Sequence, residues 1–463
     1  MSTIYLGIVV FLLLLAIFDI VVGVSNDAVN FINSAIGSRA AHFRTIIAVA
    51  AVGVFAGAAL SNGMMDIARH GIFTPQYFTL EEVMCIFLAV VVTDVVLLDV
   101  FNTMGMPTST TVSMVFELLG GAFALSLLKV MGDSTLSVGM LLNTDKAFQV
   151  IIAIFLSVAV AFVFGWIVQW ITRAIFTFTY NKGTRVRQGI FAGLSLTAIV
   201  YFLLINGLKG SSLMTPELKS FIDANTATIV LSCLAGFSAL MILLTFVKVN
   251  VLKIVVLAGT FALAMAFAGN DLVNFIGVTL AGISSYQDFT ANGAGDPSTF
   301  MMTSLMESAK TPIFYLIGAG AIMVVALTTS KKAHNVVKTS VDLSRQDEGD
   351  EMFGSSKMAR SIVRNTLMVS KTVGRFTPAS LSRFIGGRFN VQDAELADGA
   401  AFDLLRASVN LVLAGLLVAL GTSFKLPLST TYVTFMVAMG SSLADGAWTR
   451  ESAVFRITGV LSV

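Results

Sequence analysis

The 463-residue sequence is poor in charge, since only 12% of its residues are Asp, Glu, Lys or Arg. Soluble domains carry about 25%. The hydrophobic fraction is 56%, and the mean hydropathy is +0.87. A soluble core does not need so much apolar material, and runs of about 18 or more apolar residues mark membrane-spanning helices. The small net charge of +2 gives no reason to expect a nucleic-acid partner. The composition therefore predicts an integral membrane protein.

Cysteine is also scarce. Cys85 and Cys233 are the only two, and both stand in apolar runs. This excludes a disulfide scaffold and predicts buried free thiols. The first twenty residues, MSTIYLGIVVFLLLLAIFDI, lack a basic leader and a small-residue cleavage site. We interpret them as a retained first span and not as a signal peptide.

Apolar stretches recur along the whole chain. Candidate spans are roughly 4–24, 45–60, 83–101, 112–130, 147–172, 188–208, 226–247, 251–268, 311–329, 401–424 and 432–447. The last stretch, AVFRITGVLSV, is too short to cross ~30 Å of hydrocarbon, so the chain is expected to stop inside a helix. We predict a first transmembrane half at 1–208, and further spans that begin a second repeat at 209–329. A cytoplasmic loop with a surface helix follows at 330–400, and the rest of the second repeat, expected to be truncated, occupies 401–463.

The loops between these spans alternate in charge. Loops 37–44, 173–187, 248–253 and 330–400 are basic, whereas loops 61–82 and 286–310 carry more acid than base. Basic loops face the cytoplasm, and the span count then places the N-terminus outside. Within the longest basic segment, KMARSIVRNTLMVSKTVGRF alternates basic and apolar residues near helical spacing. A surface helix on anionic lipid and a linker helix packed on the protein are both consistent with this pattern.

One polar motif occurs twice at the end of an apolar run. SNDAVNFIN (25–33) and GNDLVNFIG (269–277) lie 244 positions apart and agree at six of nine positions. The predicted topology approaches the two copies from opposite sides of the membrane, which defines an inverted-topology repeat. An aspartate at the centre of a membrane helix costs ~3 kcal/mol, and such acids are functional by default. Asp27 and Asp271 are therefore candidate site residues.

A second motif is also duplicated. GMPTSTTVSMVFELLGG (105–121) aligns with KLPLSTTYVTFMVAMGS (425–441). The alignment pairs Pro107, Ser109, Thr110 and Thr111 with Pro427, Ser429, Thr430 and Thr431. Proline breaks a helix, and a broken helix at membrane depth must line a cavity or be covered by protein. Hydroxyls beside the free N–H groups of a new helix form an anion site, although Ser and Thr in membrane helices also bond to their own i−4 carbonyls.

The charges of these motifs do not balance. Neither copy offers a basic partner, because Lys425, two residues before the second Pro, has no counterpart at Gly105. An anion at the helix ends would meet two carboxylates, so cations from solution, Na⁺ or H⁺, must neutralise the site. Carboxylate, amide, hydroxyl and unwound-helix carbonyl oxygens suit Na⁺. Phosphate is favoured over sulfate because it carries protons that it can donate to a carboxylate. The residues therefore predict cation-coupled anion transport.

The four motifs, VSNDAVN, AGNDLVN, PTSTTV and PLSTTY, resemble those of the inorganic phosphate transporter (PiT) family. That family has a Gly-Ala-Asn-Asp-Val-Ala-Asn-like and a Pro-x-Ser-Thr-Thr-His-like motif in each half. The resemblance covers nearly the whole chain. It implies an all-α, polytopic membrane protein with inverted-topology repeats and broken or re-entrant helices. It also implies uptake of inorganic phosphate driven by Na⁺, or by H⁺ in some bacterial members.

The resemblance implies more about assembly and mechanism. The protein is expected to be a homodimer in the lipid of the cell (inner) membrane, to work by alternating access, and to need no cofactor beyond co-transported Na⁺. By carry-over of the motifs, phosphate is expected at Ser109, Thr110, Thr111, Ser429, Thr430 and Thr431, with Asn30 and Asn274 close by. Sodium is expected at Asn26, Asp27, Asn270 and Asp271.

The sequence departs from the family pattern in several places. Val112 and Tyr432 stand where the family often has His, so a proton relay through that residue is not available. Spans 45–60 and 311–329 lack the glutamates of eukaryotic members. Glu117 is either an extra cation ligand or a helix-packing residue. The second half has no acid aligned with Asp19, Asp94, Asp99 or Glu117.

Other functions fit the sequence less well. An anion channel would keep the helix-end sites but has no need of paired aspartates, and a proton-coupled phosphate or sulfate permease remains an alternative. The histidines, His42, His70 and His334, all lie in loops, and no metalloprotease spacing or activated nucleophile occurs. We therefore predict a transporter and not an enzyme.

Overall fold

The computed structural model describes residues 2–61, 67–179, 185–203, 215–293, 295–307, 311–347, 354–376, 386–390, 396–423, 428–448 and 450–462. Within these ranges the regular structure is helical, and two isolated β-bridges are the only strand-like pairings. The all-α prediction is confirmed. The helices are α1 (Ser2–Asp27), α2 (Val29–Gly37), α3 (Phe43–Leu60), α4 (Leu80–Met104), α5 (Thr110–Gly132), α6 (Val138–Leu141), α7 (Thr144–Phe176), α8 (Arg185–Val200), α9 (Pro216–Phe246), α10 (Val251–Asn292), α11 (Ile313–Thr329), α12 (Lys332–Leu343), α13 (Lys357–Phe376), α14 (Leu404–Ser423), α15 (Thr430–Ala444) and α16 (Arg450–Ser462).

Many of these helices are long enough to cross a membrane. In the described ranges, nine helical segments have the required length and hydropathy, and the pair α11–α12, bent by 70°, makes a tenth if it counts as one span. The chain is therefore a multi-pass membrane protein. The predicted span at 432–447 corresponds to α15, whose 15 residues extend only about 22 Å. It is shorter than the ~30 Å of hydrocarbon, and it is not among the nine segments.

The two Asn-Asp motifs lie inside long helices and not at their ends. The first helical segment continues from Thr3 to Gly37 with a single turn residue, Ala28, after Asp27. In the second half α10 runs without interruption to Asn292. The apolar residues after each motif, such as Phe31 and Phe275, are fully buried, so packing carries the helix past the polar residues. Unwound backbone at the motif, expected as a source of carbonyl ligands, is absent from α10.

Loops predicted to share one side of the membrane contact each other. On the predicted outer side, Phe73 bridges to Leu142 and Thr79 bridges to Met301. On the predicted inner side, the Ala401 N–H donates to the Gly37 carbonyl at 2.7 Å. These contacts agree with the predicted grouping of the loops.

Glycines let several helix pairs approach closely. A Cβ added to Gly57 of α3 would lie 2.1 Å from the Met265 carbonyl oxygen of α10, and one added to Gly440 of α15 would lie 2.2 Å from the Phe162 carbonyl oxygen of α7. Membrane helices associate largely through such small residues. The motif-bearing helices α1 and α10 are antiparallel: the Thr279 hydroxyl donates to the Leu12 carbonyl at 3.3 Å, and Gly23, further along α1, lies against Phe275.

The region after α11 is not only a loop. Val336 of α12 is fully buried, and α12 packs on α1, α2 and α4. Helix α13 packs on α16, and the Ser356 N–H donates to the Thr458 hydroxyl at 3.2 Å. Ala359 of α13 is buried while Met358 is exposed. One face of α13 thus packs on protein, which favours the linker-helix interpretation, and AVFRITGVLSV forms most of α16.

Both cysteines are free, as predicted, but the expectation that they are buried is wrong. Cys85 on α4 is exposed and Cys233 on α9 is half-buried. Apolar runs in a membrane protein have outward faces that contact hydrocarbon, so an apolar neighbourhood in the sequence does not imply burial within the protein.

Candidate functional site

The first Pro motif breaks the helix between α4 and α5, and its residues explain the break. Helix α4 ends at Gly105, whose φ of +67° places it in the left-handed region that glycine favours. Pro107 then prevents the helix from continuing. Helix α5 starts anew at Thr110, and the Ser109 hydroxyl accepts a hydrogen bond from the Val112 N–H at 3.2 Å. The predicted break is therefore present in the first half.

The second Pro motif begins its helix in the same way. The Ser429 hydroxyl accepts from the Tyr432 N–H at 3.0 Å and caps α15. Pro427 and Lys425 lie outside the described residues. Ser109 and Ser429 are thus N-caps that fix the first turns carrying the threonine pairs.

Asp27 accepts hydrogen bonds from both halves of the chain. The Thr110 hydroxyl donates to Asp27 Oδ2 at 2.8 Å, and the Thr431 hydroxyl donates to Asp27 Oδ1 at 2.8 Å. Asn30, one helical turn further on, also donates to Oδ1 at 3.4 Å. Each carboxylate oxygen therefore has a hydroxyl donor, one from its own half and one from the other.

Asp271 repeats this arrangement with the halves exchanged. Its Oδ2 accepts from the Thr430 hydroxyl of its own half, and its Oδ1 accepts from the Thr111 hydroxyl of the first half at 3.3 Å. Asn270 and Asn274 donate to the same Oδ1 at 3.0 and 3.4 Å. The four motifs, far apart in sequence, meet at one place.

The second asparagine of each motif crosses to the other half. Asn30 Nδ2 donates to the Thr431 hydroxyl at 3.0 Å, and Asn274 Nδ2 donates to the Thr111 hydroxyl at 3.0 Å. Because Nδ2 donates, each amide oxygen is an acceptor. The two asparagines link the halves directly at the site.

Asn26 tethers the broken segment. Its Nδ2 donates to Asn102 Oδ1 at 2.8 Å and to the Met106 carbonyl at 3.1 Å. Its Oδ1 accepts from the Thr108 N–H at 2.8 Å. Asn26 thus holds the loop before α5 against α1 and positions the threonines that follow.

The site is enclosed, and the described residues place no fixed positive charge in it. The twelve residues predicted to bind phosphate or Na⁺ are each at most 6% exposed. No Lys, Arg or His of the described residues acts on Asp27 or Asp271, and each is approached only by hydroxyl and amide donors or by the other aspartate. Neutral donors stabilise a carboxylate but leave its charge in place. The predicted charge imbalance is therefore a property of the folded site.

Two further residues contribute to the site, and neither was predicted from the sequence. Asn102, five residues before Pro107, accepts from Asn26 and donates to the Val22 carbonyl at 2.7 Å. The Thr434 hydroxyl donates to Asn30 Oδ1 at 3.2 Å. Thr434 lies one turn after Thr430 on the same helix face, a spacing that could have identified it. No comparable spacing in the sequence identifies Asn102.

Comparison with known proteins identifies the family of the chain. A model of the phosphate transporter family matches residues 23–340. The chain belongs to the phosphate transporter family. It is therefore a transporter and not an enzyme, and the predicted resemblance to a phosphate transporter family is confirmed.

A solved structure supports the fold of this family member. The structure, described as the sodium-dependent phosphate transporter, matches with a TM-score of 0.63 at 15% sequence identity. The match covers 98% of this chain and 99% of the other. At that identity the similarity shows the fold alone. No curated protein gave a significant sequence match.

The remaining intramembrane acids lie apart from the four motifs. Asp99 pairs with Lys332 at 2.6 Å, and both side chains are about half exposed, at 50% and 44%. Such an exposed pair contributes little to stability. Asp19, Asp94 and Glu117 form a separate group.

Proposed function

We propose that this phosphate transporter family member imports inorganic phosphate together with Na⁺ by alternating access. The observation that carries the proposal is the set of hydrogen bonds that join the two halves where the four motifs meet. We call this site, with Asp27, Asp271 and the threonine pairs, the core. Asp27 and Asp271 each accept a threonine hydroxyl from both halves. Two acids, four hydroxyls and two linking asparagines thus form one enclosed unit.

Competition for the hydroxyl hydrogens supports coupling. Each threonine hydroxyl has one hydrogen, and in the structure the hydroxyls of Thr110, Thr111, Thr430 and Thr431 donate to carboxylates. A phosphate oxygen must compete with the carboxylate for that hydrogen. A cation on Asp27 or Asp271 would withdraw negative charge from the carboxylate and free the hydroxyl for phosphate. Anion binding then depends on cation binding.

Residue roles follow from this competition. Sodium would be held by Asp27 and Asp271, with Asn26 and Asn270 beside them. Phosphate would be held by the threonine hydroxyls on the N-terminal turns of α5 and α15. Asn30 and Asn274 would supply amide donors. These turns are fixed by Ser109 and Ser429, and a helix N-terminus favours an anion.

Phosphate suits this site better than sulfate. At neutral pH phosphate retains one or two protons and can donate a hydrogen bond to a carboxylate or to an amide oxygen, such as that of Asn274. Sulfate has no hydrogen to donate, and two buried carboxylates would repel it. The donor and acceptor balance thus favours phosphate.

Enclosure of the site favours a carrier over a channel. A channel would keep its lining residues accessible along an open path, whereas Asp27 and Asp271 are 0% exposed. The antiparallel course of α1 and α10 and the exchanged contacts support two inverted repeats that rock against each other. On the predicted inner side, a cavity of about 310 Å³ reaches Ile32 of α2, and the Asn33 amide donates to the Ser340 hydroxyl of α12 at 3.1 Å. Separation of α2 from α12 would extend this cavity toward the core.

Assembly and location are part of the same proposal. We expect a homodimer in the cell (inner) membrane. Long rows of exposed apolar side chains, such as those on α1 and α7, support contact with lipid and a partner subunit.

The test is radiolabelled phosphate uptake into proteoliposomes, first with an inward Na⁺ gradient and then with an inward proton gradient. We expect uptake to follow the Na⁺ gradient. Asp27→Asn and Asp271→Asn should each lower Na⁺-driven uptake by about 100-fold, since a charge-assisted contact contributes up to about 3 kcal/mol.

The matched control is Asp99→Asn, which removes an acid of the same type from an exposed pair. It should retain wild-type uptake. Uptake that ignores Na⁺ and follows the proton gradient would reject Na⁺ as the coupling ion and favour a proton-coupled permease. Flux that persists without either gradient would favour a channel.

A further inference from the structure

Three acids outside the core come together inside the first half. Asp19 lies on α1, about two turns before Asp27, and its carboxyl group is close to that of Asp94 on α4. The Ser113 hydroxyl of α5 lies 2.5 Å from Asp94 Oδ1 and 2.9 Å from Glu117 Oε1. We call Asp19, Asp94, Ser113 and Glu117 the acid cluster. It lies toward the predicted outer side of the core.

The acid cluster is buried, and no positive group of the described residues pairs with it. Asp19 and Asp94 are each 1% exposed. In the same part of the chain, the charged or ionisable groups that face one another here are the three acids. The lysines of the surrounding helices are engaged elsewhere: Lys129 pairs with Glu82 at the start of α4, and Lys332 pairs with Asp99.

The other helices packed around the acid cluster add no charge at this level. Helix α10 has no ionisable side chain between Asp271 and Tyr286, and α11 carries only Tyr315. Three adjacent ionised carboxylates would repel each other strongly in a medium of low dielectric. Their charge must be reduced locally.

The hydrogen bonds of the acid cluster show how its negative charge is reduced. Asp94, Ser113 and Glu117 are joined by two hydrogen bonds, and each bond needs one hydrogen. The Ser113 hydroxyl supplies one. An ionised carboxylate supplies none, so the other hydrogen must belong to a protonated carboxyl group, that of Asp94 or Glu117.

Carboxyl oxygens without a hydrogen-bond donor also indicate that the acid cluster is protonated. Asp19 Oδ1, Asp94 Oδ2 and Glu117 Oε2 are buried, and no hydroxyl or N–H of the described residues donates to them. A buried carboxylate oxygen without a donor is costly. The core aspartates, by contrast, have a hydroxyl donor on every oxygen.

We propose that the acid cluster is a proton-binding site, separate from the core, which holds at least one proton in the buried arrangement. It belongs to the first half alone, since the positions aligned with its three acids carry Leu263, Ala414 and Val437. Loss of this proton would leave adjacent charges in the protein interior, so deprotonation should accompany entry of water between α1, α4 and α5. The proton is a ligand of this family member in addition to its transported ions.

The test is infrared spectroscopy of the purified full-length chain in lipid, which detects the carbonyl stretch of protonated carboxyl groups. We expect this band in the wild type at neutral pH. Asp94→Asn and Glu117→Gln should each reduce it, because each removes one of the two carboxyl groups bonded to the Ser113 hydroxyl while keeping an amide of similar shape. The readout needs neither phosphate nor a gradient, so it is independent of the coupling ion.

The control is Asp288→Asn, at an exposed acid near the end of α10, which should leave the band unchanged. Absence of the band in the wild type, or a band that neither variant reduces, would overturn the proposal. Binding of radioactive Na⁺ should be the same in Glu117→Gln and the wild type. Loss of one bound Na⁺ in that variant, with the band intact, would show that the acid cluster is a sodium site instead.

Discussion

Two regions of the protein each bury a pair of aspartates, and their surroundings differ. In the core, Asp27 and Asp271 meet only hydroxyl and amide donors. Toward the predicted inner side, Asp403 and Asp445 meet Arg173 of α7, which is fully buried. Its guanidinium lies 2.8 Å from Asp403 and 2.6 Å from Asp445. We call this second region the arginine centre.

The two regions differ in the source of the neutralising charge. The arginine centre carries its own cation, so its charges are neutralised whenever the chain is folded, and it joins α7 to the start of α14 and the end of α15. Among the described residues the core has no fixed cation, and the proposed coupling would supply one from solution. A buried acid without a resident cation is thus suited to the proposed transport role, whereas one with a resident arginine holds helices together.

The arginine centre also has a defined response to acid. Burial by itself would raise the pKa of the Asp403 carboxyl, but the charge and hydrogen bonds of Arg173 hold this pKa below its usual value. A lowered folded-state pKa contributes stability that is present above the unfolded pKa of about 3.9. That contribution is lost as the pH falls through the folded pKa. Acid should therefore weaken the arginine centre.

Removal of the fixed cation should give the largest effect on stability. Arg173→Met leaves two carboxylates with Arg406 as the remaining nearby cation, 3.9 Å from Asp445. Loss of one partner of a buried ion pair costs about 3–5 kcal/mol. We expect a much lower unfolding temperature in detergent. By contrast, Asp27→Asn should leave this temperature nearly unchanged while it lowers uptake by about 100-fold.

Lys332→Met is the matched control, because the Lys332–Asp99 pair is about half exposed. Its loss should cost at most about 1 kcal/mol. Equal unfolding temperatures for Arg173→Met and Lys332→Met would remove the distinction between the two regions.

Loss of one core hydroxyl should have an intermediate effect, equal in the two halves. Thr110→Val and Thr430→Val each remove the donor to the aspartate of the same half. A hydrogen bond to a charged group contributes about 1.5–3 kcal/mol, or roughly 10- to 100-fold in affinity. The half-saturating phosphate concentration for uptake should rise by that factor in both variants.

Thr328→Val serves as control, since this hydroxyl is exposed and bonds only within its own helix. It should behave like the wild type. A large effect of one core variant beside a small effect of the other would show that the halves do not contribute equally.

Removal of a helix cap should have the smallest effect. Ser109→Ala and Ser429→Ala each remove an N-cap acceptor, which costs about 1 kcal/mol, or roughly fivefold. The half-saturating phosphate concentration should rise less than in the threonine variants. Ser429→Asn, which keeps a capping oxygen, should restore the wild-type value. Failure of this rescue, with a loss as large as that of Thr430→Val, would indicate that the serine hydroxyl contacts phosphate directly.

The sequence alone determined the class of protein, the two repeated motifs and the charge problem they pose. These depend on composition, on hydrophobic length and on residue identity, which are local properties. It also located the first helix break, because Gly105 and Pro107 end a helix in any surroundings. The helix continuation past both Asn-Asp motifs was missed, since a hydropathy window stops at polar residues even when the next residues are buried.

The tertiary structure decided which residues meet. Thr111 reaches Asp271 and Thr431 reaches Asp27 only because the halves cross, and no spacing in the sequence encodes a contact over 160 or 404 positions. It also separated acids that look alike in sequence. Arg173 is one of several basic residues of loop 173–187, but the fold buries it between Asp403 and Asp445. By contrast, no cation of the described residues pairs with Asp19 or Asp94. Residue type sets the charge of an acid, but only long-range packing decides whether a fixed cation, a hydroxyl or a proton accompanies it.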